Sequence, residues 1–104
     1  MDKNIDFIIK KYIRFVQSRK IFPEKVFLFG SFAKNKQDNN SDIDLALIFK
    51  NLPDKKRFDL QVQLFVLASE IDSRIEPHPF NLSDFNISHP VASEIIKTGI
   101  ELKK

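Results

Sequence analysis

The chain has no cysteine, no tryptophan, only two glycines and no long unbroken apolar run among its 104 residues. Without Cys there is neither a disulfide framework nor a thiolate metal site. Without an apolar run of about 18 residues there is no candidate membrane span. The opening stretch MDKNIDFIIKKYIRF is broken by charge every few residues and lacks a signal-peptide core. Together these absences fit a cytoplasmic protein. What is present is a chain 42% hydrophobic with eleven Phe, enough for one modest core, and residues 1–104 read as a single domain. We expect those Phe mostly in the core. The net charge of +3 and pI near 9.2 are mildly basic. They describe a solvated Lys-rich surface, or a substrate or partner that carries negative charge.

Periodicity places the elements. Ile5, Ile8, Ile9, Tyr12, Ile13, Phe15 and Val16 recur at helical spacing over residues 4–18, and Phe22-Pro23 ends that helix. KVFLFG (25–30) is β-rich, and its alternation suits a strand covered on both faces. SFAK reads as a short helical turn and KNKQDNN as a polar loop. DIDLALIF (42–49) reads as a second strand, with Asp42, Asp44, Ala46 and Ile48 on one face. Residues 54–72 form a long helix whose stripe is Leu60, Leu64, Leu67, Ala68 and Ile71, widened by Phe65. Arg74 to Glu76 begin a third strand that should stop at Pro77 or Pro79. SDF (83–85) is a turn. Pro90 and Gly99 bracket a last helix, with His89 just before its start. The class is α/β (α+β), with a small mixed sheet of three or four strands packed with helices.

Two carboxylates at alternate positions of a half-buried strand need an explanation, because strand interiors disfavour Asp and an unpaired buried carboxylate is costly. Connection lengths suggest one. The helix between the second and third strands implies a parallel crossover pair, while the polar loop allows the first two strands to run antiparallel. Gly30-Ser31 then faces Asp42 and Asp44, and Glu76 lies beside the same strand end. Alternate strand residues sit about 6.5–7 Å apart on one face, so the two Asp can share one metal or bridge two. A third carboxylate suits a pair of ions about 3.5–4 Å apart, which serves in-line displacement at phosphorus. Mg²⁺ prefers such oxygen donors together with substrate phosphates. Gly30 permits close backbone approach, and the Ser31 hydroxyl and free N–H groups beyond it can hold phosphate oxygens.

Plainer readings stand beside these. Asp42 and Asp44 can simply face water at a strand start, and Gly30-Ser31 can be no more than a strand exit. Glu70 and Asp72 compete with Glu76 as the third acid. His78, between two prolines, is either a rigid structural histidine, a support for the acids or an acid–base group. Lys34 and Lys36 are solvated loop charge or phosphate ligands.

GSFAKNKQDNNSDIDLALIF resembles the signature of the polymerase β-like nucleotidyltransferase superfamily: Gly-Ser, about ten residues, Asp-x-Asp on a strand, and an acid on a later strand. The chain's size, its IEPHPF segment and its closing VASEIIKTGIEL resemble the minimal nucleotidyltransferase group, so the likeness covers nearly the whole chain. It implies the polymerase β-like nucleotidyltransferase fold. It implies that Asp42 and Asp44 ligate Mg²⁺, two ions in all, with Glu76 as third ligand and activator of the acceptor hydroxyl. Gly30 and Ser31 would contact the phosphates of a nucleoside triphosphate. The implied reaction moves a nucleoside monophosphate, AMP from ATP, to an acceptor hydroxyl. Many members carry a second Gly soon after Gly-Ser; here Lys34-Asn35 stands instead, and Asn tolerates left-handed backbone geometry. The group resembles one half of toxin–antitoxin systems whose other half is a helical HEPN protein. The acceptor is then expected on such a partner, and homodimerisation is a further expected arrangement. The alternative is a non-catalytic antitoxin that sequesters a HEPN-type partner. Nucleic acid is not expected as the main partner, because no strand interleaves aromatic and basic residues and no recognition helix is evident.

Overall fold

The computed structural model describes residues 3–36, 38 and 41–103. Helix α1 (Lys3–Ser18) leads to strand β1 (Lys25–Phe29) and strand β2 (Ile43–Phe49). Helix α2 (Asp54–Ile71), strand β3 (Ile75–Asn81), a 3-10 turn (Leu82–Asp84), helix α3 (Pro90–Thr98) and strand β4 (Ile100–Leu102) follow. The four strands form one sheet in the order β3-β2-β1-β4. As expected, β1 and β2 are antiparallel and β2 and β3 parallel. The fourth strand, β4, is antiparallel to β1. Of the expected polar loop, Gln37, Asn39 and Asn40 lie outside the described residues. Among the described residues no helix is long and apolar enough to cross a membrane.

Helix α1 stops before Pro23 for a local reason. Lys20 takes φ +64°, Ile21 N–H donates to the Val16 carbonyl and Lys20 N–H donates to that of Gln17. That is a Schellman-type close without glycine.

The alternation of β2 divides the interior. Ile43, Leu45, Leu47 and Phe49 join Val26, Leu28 and Ile75 on the face covered by α1 and α2. Ala46 and Ile48 join Phe27, Phe80 and Ile95 of α3 on the other face. Tyr12 ties the first layer together: its buried hydroxyl donates to the Leu64 carbonyl at 2.9 Å, and burial pushes the phenol well above its usual range.

Three expectations are corrected. Strand β3 runs through both prolines instead of ending at either. It is an edge strand, and the Arg74 carbonyl accepts from Ile43 N–H of the neighbouring β2. By alternation Glu76, His78 and Phe80 turn their backbone groups to β2. Pro77 and Pro79 have the opposite parity, so their missing N–H groups fall on the free edge. Phe65 does not widen the buried stripe of α2; it is 55% exposed, and Phe58, Val62 and Val66 on the same outward side are exposed too. The Phe are also not mostly core. Phe27, Phe49 and Phe80 are buried, while Phe7, Phe22, Phe58 and Phe65 are exposed and the rest lie between.

Candidate active site

The sheet register assembles the site. Asp44 pairs with Phe29 across β1 and with Glu76 across β3. The chain leaves β1 through Gly30, at φ +75°. A Cβ at Gly30 would lie 2.5 Å from Asp44 Oδ2. Glycine is therefore required twice, by its left-handed backbone and by the carboxylate pressed against it. The backbone then makes a single turn: Lys34 N–H donates to the Gly30 carbonyl (3.1 Å) and Lys36 N–H to that of Ser31 (2.9 Å). Asn35, at φ +58°, takes the left-handed position where the resemblance led us to expect a tolerant residue.

Alternation along β3 puts Glu76, His78 and Phe80 on the same face as Asp44, Ala46 and Ile48. That face is filled by Phe80 and Ile95 toward one end of the strands and carries the polar groups toward the other. His78 Nε2 lies 3.3 Å from Asp44 Oδ1 and donates to it in the Nε2–H tautomer. The imidazole packs against Phe29 with ring centroids 5.2 Å apart and planes tilted by 60°. Ligand atoms of Asp44, Glu76 and His78 all lie within 4.8 Å of one another. The Asp44 side chain is 23% exposed and that of His78 37%. Burial pushes the Asp44 carboxyl above the usual range; the hydrogen bond and charge of His78 oppose the rise, and the charge of Asp42 adds to it.

Asp42 sits one residue before β2, exposed, and is not part of the 4.8 Å cluster. Ser31 is partly buried in the turn that follows Gly30. Of the expected group, the structure thus brings Gly30, Asp44 and Glu76 together and leaves Asp42 at the rim. Lys34 Nζ pairs with Glu94 of α3 at 3.2 Å, and Lys36 is exposed. Asp72, a rival third acid, is engaged elsewhere. It accepts from Arg74 N–H (2.9 Å), Nε (3.1 Å) and Nη2 (2.9 Å), which holds its carboxyl below the usual range. Glu70 is exposed on α2. His89 is the N-cap of α3, its Nδ1 accepting from Ala92 N–H at 3.2 Å. His78 is the residue that sequence reasoning left without a place. Its signal was its even spacing from Glu76, which counts only once the strand is known to continue past Pro77.

Two carboxylates with oxygens within 4.8 Å of each other, one of them half-buried, are a donor set suited to a hard divalent cation. The cleft that Gly30 leaves open keeps Asp44 Oδ2 free of a side chain. The residues present therefore fit the metal that this motif implies.

The chain is similar to known proteins. A family described as polymerase beta, nucleotidyltransferase matches residues 10–104. No curated protein sequence matches the chain. A toxin–antitoxin crystal structure with AMP-PNP is 25% identical, with a TM-score of 0.62 over 90% of this chain and 71% of that one. A nucleotidyltransferase structure from Sulfolobus solfataricus is 21% identical, with a TM-score of 0.65 over 93% and 78%. A third structure, the tri-AMPylated HEPN toxin of Shewanella oneidensis with its MNT antitoxin, is 21% identical, with a TM-score of 0.58 over 94% and 71%. The match over residues 10–104 places the chain in the polymerase β-like nucleotidyltransferase family.

Proposed function

We propose that this chain is a single Mg²⁺-dependent nucleotidyltransferase domain that transfers AMP from ATP to an acceptor hydroxyl on a HEPN-type partner, as an antitoxin. The observation that carries the reading is the register of Asp44 beside Glu76, with Gly30 opening against Asp44, in a chain of this family. Asp42, Asp44 and Glu76 would hold two magnesium ions. Those ions would supply charge neutralisation on the triphosphate and Lewis-acid activation at the reacting oxygens.

The protein's own groups have separate tasks. The turn at Gly30-Ser31 offers backbone N–H groups and a hydroxyl to the phosphates. Asp44 is held in place by β1 and β3 on either side, so its carboxylate is preorganised. Glu76 accepts the proton of the acceptor hydroxyl. The acceptor oxygen bonds to the α-phosphorus as the bond to the bridging oxygen breaks, and pyrophosphate leaves.

The AMPylated HEPN toxin found with one fold neighbour supports this class of acceptor. A purely sequestering antitoxin has no use for a carboxylate kept half-buried against its own desolvation, which favours the catalytic reading.

The test is transfer of label from α-labelled ATP in the presence of Mg²⁺ to a HEPN-type partner or to host extract. The wild-type chain should label one acceptor, and the Asp42→Ala/Asp44→Ala double variant should be slower by at least about a hundredfold. Partner capture with no label from any of the four triphosphates would replace catalysis with sequestration.

A further inference from the structure

The carboxylate cluster is not purely carboxylate. The group whose ligand atoms converge within 4.8 Å is Asp44, Glu76 and His78, with Asp42 outside it. We infer that His78 is a metal ligand, giving this site a mixed oxygen and nitrogen donor set that shifts its preference from Mg²⁺ toward Mn²⁺. The inference rests on the nucleotidyltransferase reading of the same residues.

Geometry is the first ground. Neighbouring ligands of an octahedral ion with bonds of about 2.1 Å stand roughly 3 Å apart. His78 Nε2 and Asp44 Oδ1 are already 3.3 Å apart. With the ring proton on Nδ1 instead of Nε2, a small adjustment turns this pair into two adjacent ligands. The imidazole is also held for that role. Phe29 packs on one side of it, and Pro77 and Pro79 fix the backbone on both sides. The second ground is chemical. Mg²⁺ selects oxygen donors, whereas imidazole favours first-row transition ions, of which Mn²⁺ also keeps the octahedral carboxylate chemistry of a phosphoryl site. A third point makes the idea easy to test: the chain has only two His, and His89 is occupied at the start of α3.

The experiment loads the whole chain with Mn²⁺, with and without AMP-PNP, and records electron spin echo modulation together with Mg²⁺ competition. Wild-type protein should show ¹⁴N modulation from a directly bound imidazole, and it should survive His89→Gln. His78→Gln should lose the modulation and lower the Mn²⁺ to Mg²⁺ affinity ratio by about tenfold. A merely structural His78 would weaken both ions equally and leave the ratio unchanged. Bound Mn²⁺ without ¹⁴N modulation overturns the inference, and persisting AMP transfer would then leave the function standing. Failure to bind Mn²⁺ even with AMP-PNP overturns both. Should His78→Gln not fold, the wild-type and His89→Gln spectra still decide.

Discussion

Gly30 and Asp44 are one unit of design although fourteen positions separate them. The carboxylate occupies the space where a Cβ would stand, 2.5 Å away, and the backbone sits at φ +75°. Any side chain at 30 meets both obstacles. Gly30→Ala should therefore destabilise the fold by roughly 1–3 kcal/mol, because strained left-handed geometry and displacement of Asp44 act together. Chemical denaturation would measure it, and an unchanged midpoint would mean that the turn repacks freely. AMP transfer should fall further than stability does, since Asp44 moves with the turn. Asn35 offers the contrast. It already sits at φ +58°, so Asn35→Gly should be tolerated within about 0.5 kcal/mol.

Among the elements, β3 teaches most about what a sequence conceals. Its two prolines argue against a strand, yet both fall on the parity that faces the open edge, and the strand continues. Parity relative to a neighbour is a tertiary fact, so the extension of β3, and with it the place of His78, was not legible beforehand. The pairing of β2 with both neighbours was legible, because loop and helix lengths dictate antiparallel and parallel partners. Asp44, Glu76 and Gly30 followed from that pairing. Glu70 and Asp72 fall at the end of the preceding helix, which already favours Glu76, and the Arg74 fork that occupies Asp72 adds to it. Helix α2 misled for a different cause. It is apolar on two sides: Leu64, Leu67 and Ala68 face the sheet, while Phe58, Val62, Phe65 and Val66 face outward. Periodicity cannot say which side is inside when both qualify. The distinction has a measurable consequence. Leu64→Ala should cost about 2–5 kcal/mol, whereas Phe58→Gln at 75% exposure should stay within about 0.5 kcal/mol. Equal losses in thermal denaturation of the two variants would contradict this assignment of faces.

For the molecule as a whole, the proposed function and stability pull against each other at Asp44. Burial raises its carboxyl above the usual range, so the metal-free fold disfavours the ionised form. Below the unfolded value of about 3.9 both states are protonated and there is no penalty. As pH rises from the unfolded value through the folded one the penalty develops. Asp72 has the opposite sign: Arg74 holds it down, so its contribution is present at neutral pH and is lost as pH falls through its folded value. Asp44→Asn removes the charge and should therefore raise the melting temperature of metal-free protein at pH 7. The gain should shrink toward pH 3. A bound divalent ion reverses the balance, because it stabilises only a fold that can hold it. At about 100 times its dissociation constant, Mn²⁺ should add about 2.7 kcal/mol to the wild type, roughly 10–20 °C for a domain of this size. The Asn variant should gain nothing comparable. The two melting curves should thus exchange order between chelator and Mn²⁺, and curves that keep one order in both conditions would mean that Asp44 is not where the ion binds.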